Sequence, residues 1–130
     1  MDAKKLLEEA NKGKEKAYVP YSGFRVGAAL LTKKGTIYTG CNIENASYSV
    51  TICAERTALF KAVSEGEREF EAIAVVSDSS HWSYPCGSCL QVLREFSGDL
   101  KIIVGNNKGD YEVKGIHQLF PFPFTPDTME

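Results

Sequence analysis

The chain has no apolar run of membrane-spanning length, no clustered basic surface, no internal repeat and no linker long enough to divide its 130 residues. A bilayer-crossing helix needs about 20 consecutive apolar residues, so a membrane partner is not expected. Met1 to Ala17 is too rich in charge to form the apolar core of a signal peptide, and a cytoplasmic location is expected. The formal net charge is only −2, and lysines such as Lys33-Lys34 and Lys12, Lys14 and Lys16 are interleaved with glycine or acidic residues. A nucleic-acid polymer is therefore not an expected partner. The chain holds four cysteines. In a reducing compartment these read as metal ligands or redox groups before they read as disulfides. What remains, 43% hydrophobic and 25% charged, is the composition of one ordinary globular domain spanning 1–130, able to bury about two-thirds of its unfolded surface.

Periodicity predicts an opening amphipathic helix within Asp2 to Ala17, on which Leu6, Leu7, Ala10, Lys14 and Ala17 share a face. Val19-Pro20-Tyr21-Ser22-Gly23 ends it. Two strands, Phe24 to Thr32 and Thr36 to Cys41, flank the turn Lys33-Lys34-Gly35 and read as an antiparallel hairpin. A loop from Asn42 to Thr51 precedes a second helix, Cys53 to Ser64, with Gly66 just past its end. Phe70 to Ser77 is a buried-type strand, Asp78 to Tyr84 a polar loop, and Cys86 to Phe96 a third helix entered through Pro85. Leu100 to Val104 and Tyr111 to Val113 complete the strands. The alternation of strand and helix implies parallel crossovers and an α/β fold, three layers α/β/α with a mixed sheet of about five strands.

The chemistry concentrates in Cys53-Ala54-Glu55 and Pro85-Cys86-Gly87-Ser88-Cys89. Cys86 and Cys89 lie three apart on one helical face and can grip one ion, to which Cys53 adds a third sulfur. Three thiolates leave one corner of a zinc tetrahedron open, the layout of a catalytic site, so one Zn2+ per chain is expected. Both ligand groups fall at helix starts, where free N–H groups favour thiolate. Glu55, two residues from the first ligand, is placed to manage a proton. Arg56, three after Cys53, can donate to cysteine sulfur and draw off negative charge. Competing readings exist for each feature. A lone C-x-x-C also occurs in thioredoxin-like redox proteins; Cys41 could complete a closed four-cysteine structural zinc site, or be a small buried hydrophobe; Glu55 and Arg56 could be solvent-facing helix residues.

A metal ligand, any residue, Glu, and later P-C-x-x-C is the zinc deaminase signature, with Cys53 standing where other members have His. Three further blocks sharpen the match: Tyr18 to Leu30, Gly40-Cys41-Asn42-Ile43-Glu44-Asn45-Ala46-Ser47-Tyr48, and the Arg56 that follows Glu55. Together they make the chain resemble the cytidine deaminase family, in its short, homotetrameric branch. The resemblance implies Cys53, Cys86 and Cys89 as zinc ligands and Glu55 as proton shuttle. It implies Asn42 and Glu44 at the ribose 3′-hydroxyl, Phe24 stacked on the base, and Ala54 at the pyrimidine edge through its backbone. Ala46 and Tyr48 would approach the sugar, Tyr48 in a neighbouring subunit's site. At the carboxyl end Leu119-Phe120-Pro121-Phe122-Pro123-Phe124 departs from the family's pattern, and Phe124, with Phe122 as competitor, is the residue expected to reach an adjacent active site. The implied activity is hydrolytic deamination of cytidine and 2′-deoxycytidine in pyrimidine salvage. The alternatives are a deaminase of a related nucleoside such as a blasticidin-type antibiotic, and a non-enzymatic zinc-stabilised interaction module.

Overall fold

Asp2 opens the first helix of the computed structural model, which describes residues 1–129. Its carboxylate accepts from the Lys5 N–H at 3.2 Å, satisfying one of the donors that a helix start leaves free. Helix α1 (Ala3–Lys14) buries Leu6, Leu7 and Ala10. It stops at Lys14 rather than at the expected Ala17, because the N–H groups of Lys16 and Ala17 bond to carbonyls three residues back, Gly13 at 3.0 Å and Lys14 at 3.1 Å, and so tighten the chain into a turn.

Strands β1 (Val26–Thr32) and β2 (Ile37–Cys41) form the expected antiparallel hairpin, with Gly35 at φ 94° in its turn, a backbone angle few other residues adopt without strain. β1 begins at Val26, not at Phe24. The groups of the two preceding residues are taken by side chains instead: Asn42 Nδ2 donates to the Phe24 carbonyl at 2.9 Å, and the Arg25 N–H donates to Asp78 at 2.9 Å.

Helix α2 (Ala54–Ser64) leads to β3 (Phe70–Ser77), α3 (Gly87–Phe96) to β4 (Lys101–Gly105), and β5 (Tyr111–Gly115) to the short α4 (Ile116–Leu119). The sheet order is β2-β1-β3-β4-β5. Among the described strands the β3–α3–β4 unit alone gives a parallel neighbouring pair. The other crossover passes over β1: β2 and β3 run the same way, but each is hydrogen-bonded antiparallel to β1 between them. The three-layer mixed sheet of five strands is as the sequence implies.

Alternation along the strands divides the core between two faces. Ala29, Ala72, Ala74, Val76 and Ile103 pack against Leu6, Leu7 and Ala10 of α1. Ala28, Leu30, Ile73, Ile102 and Val104 pack against Ala58, Leu59 and Ala62 of α2 and Leu90 and Leu93 of α3. Among the described residues no helix is long and apolar enough to cross a membrane. Two glycines set how closely the helices approach. A β-carbon at Gly27 would lie 2.1 Å from the Ala10 carbonyl of α1, and one at Gly40 would lie 2.5 Å from the Ala54 carbonyl of α2.

Gly40 therefore fixes the height of the α2 amino terminus over the sheet. Gly40→Ala should destabilise the fold by about 1–3 kcal/mol, the range for forced overpacking, as read from urea unfolding.

Candidate metal centre and active site

The amino-terminal tips of α2 and α3 meet beside the carboxyl end of β3. Cys53 and Cys86 occupy the N-cap positions, and neither uses its side chain to cap its helix. Their carbonyls accept the first helical bonds, from Thr57 at 3.1 Å and Leu90 at 3.0 Å, so the thiols remain free for other work. Cys89 follows in the first turn of α3 and is buried. Tetrahedral Zn–S bonds of roughly 2.3 Å place sulfurs about 3.8 Å apart. Cys53 and Cys86 stand at 4.0 Å, and all three sulfurs lie within 4.8 Å of one another. The donor set fits zinc and is the soft one that zinc favours.

Arg56 stands behind these sulfurs, its Nη2 donating to Cys53 Sγ at 3.3 Å. Its Nε is buried without a hydrogen-bond partner, a cost that thiolate charge nearby would offset. The guanidinium is held charged above its ordinary range, first by the Cys53 contact and against some desolvation. The Cys53 thiol is pulled down, chiefly by a hydrogen bond from Cys89 and then, against burial, by Arg56. Cys89 is pushed up by that same contact and by burial. A cluster in which one sulfur gains charge only as its neighbour keeps a proton is one that a divalent cation relieves.

Cys41 lies outside this group. Its thiol donates to the Lys16 carbonyl at 3.4 Å and is pushed up by burial. Among the described residues the metal-ligating cluster consists of Cys53, Cys86 and Cys89, so the closed four-cysteine site is not assembled.

Glu55 is only 4% exposed. Burial, before any other cause, raises its carboxyl to about 7, and the neighbouring Cys53 charge acts in the same direction. It helps line a cavity of about 380 Å³ together with Phe24, Asn42, Cys53 and Cys86. Asn42 is fixed at both ends of its amide: Oδ1 accepts from the Val26 N–H at 2.9 Å while Nδ2 donates to Phe24. One lone pair and one hydrogen remain for a ligand.

Other expected residues sit elsewhere. Glu44 and Tyr48 line a second cavity of about 350 Å³ that shares Thr51 with the first. There the Glu44 carboxylate accepts from the Tyr21 and Ser22 N–H groups at 3.0 and 3.1 Å and from the Ser22 hydroxyl, which together hold it below its usual range. Ala54 is fully buried as the first residue of α2, and Ala46 is exposed in the loop before it. Phe124 lies outside both cavities of its own chain, its backbone clasped by Gln91 through bonds of 2.8 and 3.1 Å. Phe122 projects further, at 91% exposure.

Several cavity residues escape a reading of the sequence: Thr51, Ile52, Ser77, Ser79, Trp82 and Tyr84. The one available signal was Trp82, the single tryptophan of the chain, placed in a polar loop just before Pro85.

The geometry agrees with comparisons to known proteins. The family described as "Cytidine and deoxycytidylate deaminase zinc-binding region" matches residues 1–106. A cytidine deaminase of Sporosarcina psychrophila is 53% identical over 130 residues, covering 99% of this chain and 96% of that protein. A blasticidin-S deaminase of Bacillus cereus is 34% identical over 108 residues, 77% of this chain and 76% of that protein. The crystal structure of a cytidine deaminase from Burkholderia pseudomallei superposes with a TM-score of 0.92 at 47% identity, covering 95% of this chain and all of that one. With its three-sulfur centre and buried glutamate built on the same fold, the chain belongs to the cytidine deaminase family.

Proposed function

We propose that the protein hydrolyses cytidine and 2′-deoxycytidine to the corresponding uridines with release of ammonia, using one zinc per chain. The observation that carries this reading is a buried carboxyl, Glu55, in the wall of a nucleoside-sized cavity beside three converging thiols. Cys53, Cys86 and Cys89 hold the metal, and Arg56 disperses the charge of their sulfurs. Zinc, when bound, supplies the Lewis acidity that lets water act as a nucleophile at neutral pH.

The remaining work falls to the chain. With its carboxyl raised to about 7, Glu55 exchanges protons readily near neutrality. It takes the proton from the attacking water and passes it to N3 of the base as C4 becomes tetrahedral, then takes the proton of the new C4 hydroxyl and delivers it to the amino group, which leaves as ammonia while the C4 carbonyl forms. Phe24 offers a flat apolar face to the pyrimidine, and the Ala54 backbone meets its edge. The free donor and acceptor of Asn42 read the ribose 3′-hydroxyl, and Glu44, in the adjoining cavity, is its proposed partner there. Ala46 and Tyr48 serve the sugar.

Exposed apolar side chains support assembly into a homotetramer with shared sites: Tyr48 and Val50 on the loop before α2, Phe60 on α2, Phe122 and Phe124 on the tail. In such an assembly Tyr48 and Phe124 would complete a neighbour's cavity. Four unpaired cysteines support a cytoplasmic setting. The blasticidin-S deaminase relative keeps a second substrate in view, and parallel assays on cytidine and blasticidin S separate the two.

Glu55→Gln should remain folded and carry one zinc per chain while losing deamination by about 10²–10⁴-fold, the usual share of a positioned acid–base group. Ultraviolet loss of the cytidine band measures it. A variant as active as the wild type would end this mechanism, and wild-type protein inert on cytidine would favour a zinc-stabilised interaction module. Cys41→Ser should keep one zinc per chain by metal analysis and most of its activity. Because Cys53 must be a thiolate to bind and its thiol is pulled down to about 5, zinc should be released as the pH is lowered through about 5, measured by dialysis and metal analysis.

A further inference from the structure

Two short segments wall the cavity that holds Glu55. Phe24 and Val26 lead into β1 on one side, and Ser77 and Ser79 lead out of β3 on the other. Arg25 lies between the first pair and Asp78 between the second. In extended backbone successive side chains alternate faces. Arg25 and Asp78 thus meet on the reverse of the two walls, where Lys14 at the end of α1 joins them.

Asp78 is more fully engaged there than a surface ion pair requires. Its Oδ2 accepts from the Arg25 N–H at 2.9 Å and from Arg25 Nε at 3.2 Å. Its Oδ1 accepts from Arg25 Nη2 at 3.1 Å and lies 3.2 Å from Lys14 Nζ. In return the Asp78 N–H donates to the Arg25 carbonyl at 3.1 Å. The regular β1–β3 ladder ends with Val26 opposite Ser77, and the carboxylate carries the pairing one step beyond it. A fork of charge-assisted bonds that includes backbone is a stiffer tie than an exposed pair of long side chains.

The tie continues into the loop that closes the cavity. The Asp78 carbonyl accepts from Asn107 Nδ2 at 2.9 Å, the Asn107 N–H donates to the Ser79 carbonyl at 2.9 Å, and the hydroxyls of Ser77 and Ser83 lie 2.8 Å apart. Trp82 and Tyr84 of that loop line the same cavity as Phe24.

We propose that Asp78 is a positioning residue for the substrate cavity: from behind, its carboxylate sets the distance between the Phe24 wall and the Ser79–Tyr84 wall. It touches neither substrate nor metal and acts through Arg25. Its contribution is equal for ground state and transition state, so it belongs to substrate affinity and not to the chemical step. The kinetic part of this assignment rests on the proposed cytidine activity; the structural part does not.

Trp82 reports the wall directly, since it is the chain's single tryptophan. Asp78→Asn keeps the side chain's shape and one acceptor oxygen but removes the charge. In the zinc-loaded protein it should raise acrylamide quenching of Trp82 fluorescence and raise KM for cytidine on the order of fivefold, with kcat changed by no more than about twofold. Asp78→Ala should move both readings further. Glu67→Gln, which breaks the Lys34–Glu67 pair at 3.8 Å on the hairpin side of the molecule, should move neither. Quenching equal to the wild type overturns the assignment, as does a lowered thermal midpoint with KM unchanged. Wild-type protein inert on cytidine would sink the functional reading alone, and the quenching comparison would still decide the role of Asp78.

Discussion

Three sulfur atoms brought within 4.8 Å of one another are an unfavourable arrangement unless something positive answers them, and the architecture is arranged around that need. The N–H groups at the tips of α2 and α3 supply partial positive charge from two directions. Arg56 supplies a full one at 3.3 Å from Cys53. A divalent cation completes the balance. For the two tips to meet, α2 must settle low on the hairpin, which the missing side chain at Gly40 allows, and α3 must return from the carboxyl end of β3. The passage of α2 over β1 and the parallel β3–β4 pair put both helices on one face of the sheet, against a common core.

The cavity exists because the sheet stops where it does. Beyond Val26 and Ser77 the regular ladder is reduced to one further backbone bond, from the Asp78 N–H to the Arg25 carbonyl. Side chains take over instead: Asn42 holds the groups of Phe24 and Val26, and Asp78 holds Arg25. Both satisfy backbone polar groups that would otherwise be stranded. The cavity they border is lined by Phe24, Glu55 and the serines of the β3 exit.

Glu55 shows how burial is turned to use. A carboxyl enclosed at 4% exposure resists ionisation, which weakens it as a permanent charge and suits it to carrying a proton in both directions. Arg56 sits one residue away yet is committed to sulfur, so the two opposite charges do not simply neutralise each other.

Local chemistry made much of this legible in the sequence. The helical spacing of Leu6, Leu7 and Ala10, the hairpin turn at Gly35, the Pro85 entry to α3 and the grouping of Cys53, Glu55, Cys86 and Cys89 are all set by neighbours along the chain, and the structure keeps them. Partners distant in sequence decided the rest. The start of β1 moved to Val26 because Asn42 and Asp78 take the preceding groups, and the strand order placed β1 between β2 and β3. Glu44 turned to the Tyr21–Ser22 bend, and Trp82 joined the cavity wall. Spacing records which side chains share a face of one element, whereas which elements lie side by side is chosen by burial across the whole sheet, and no short window of residues contains that choice.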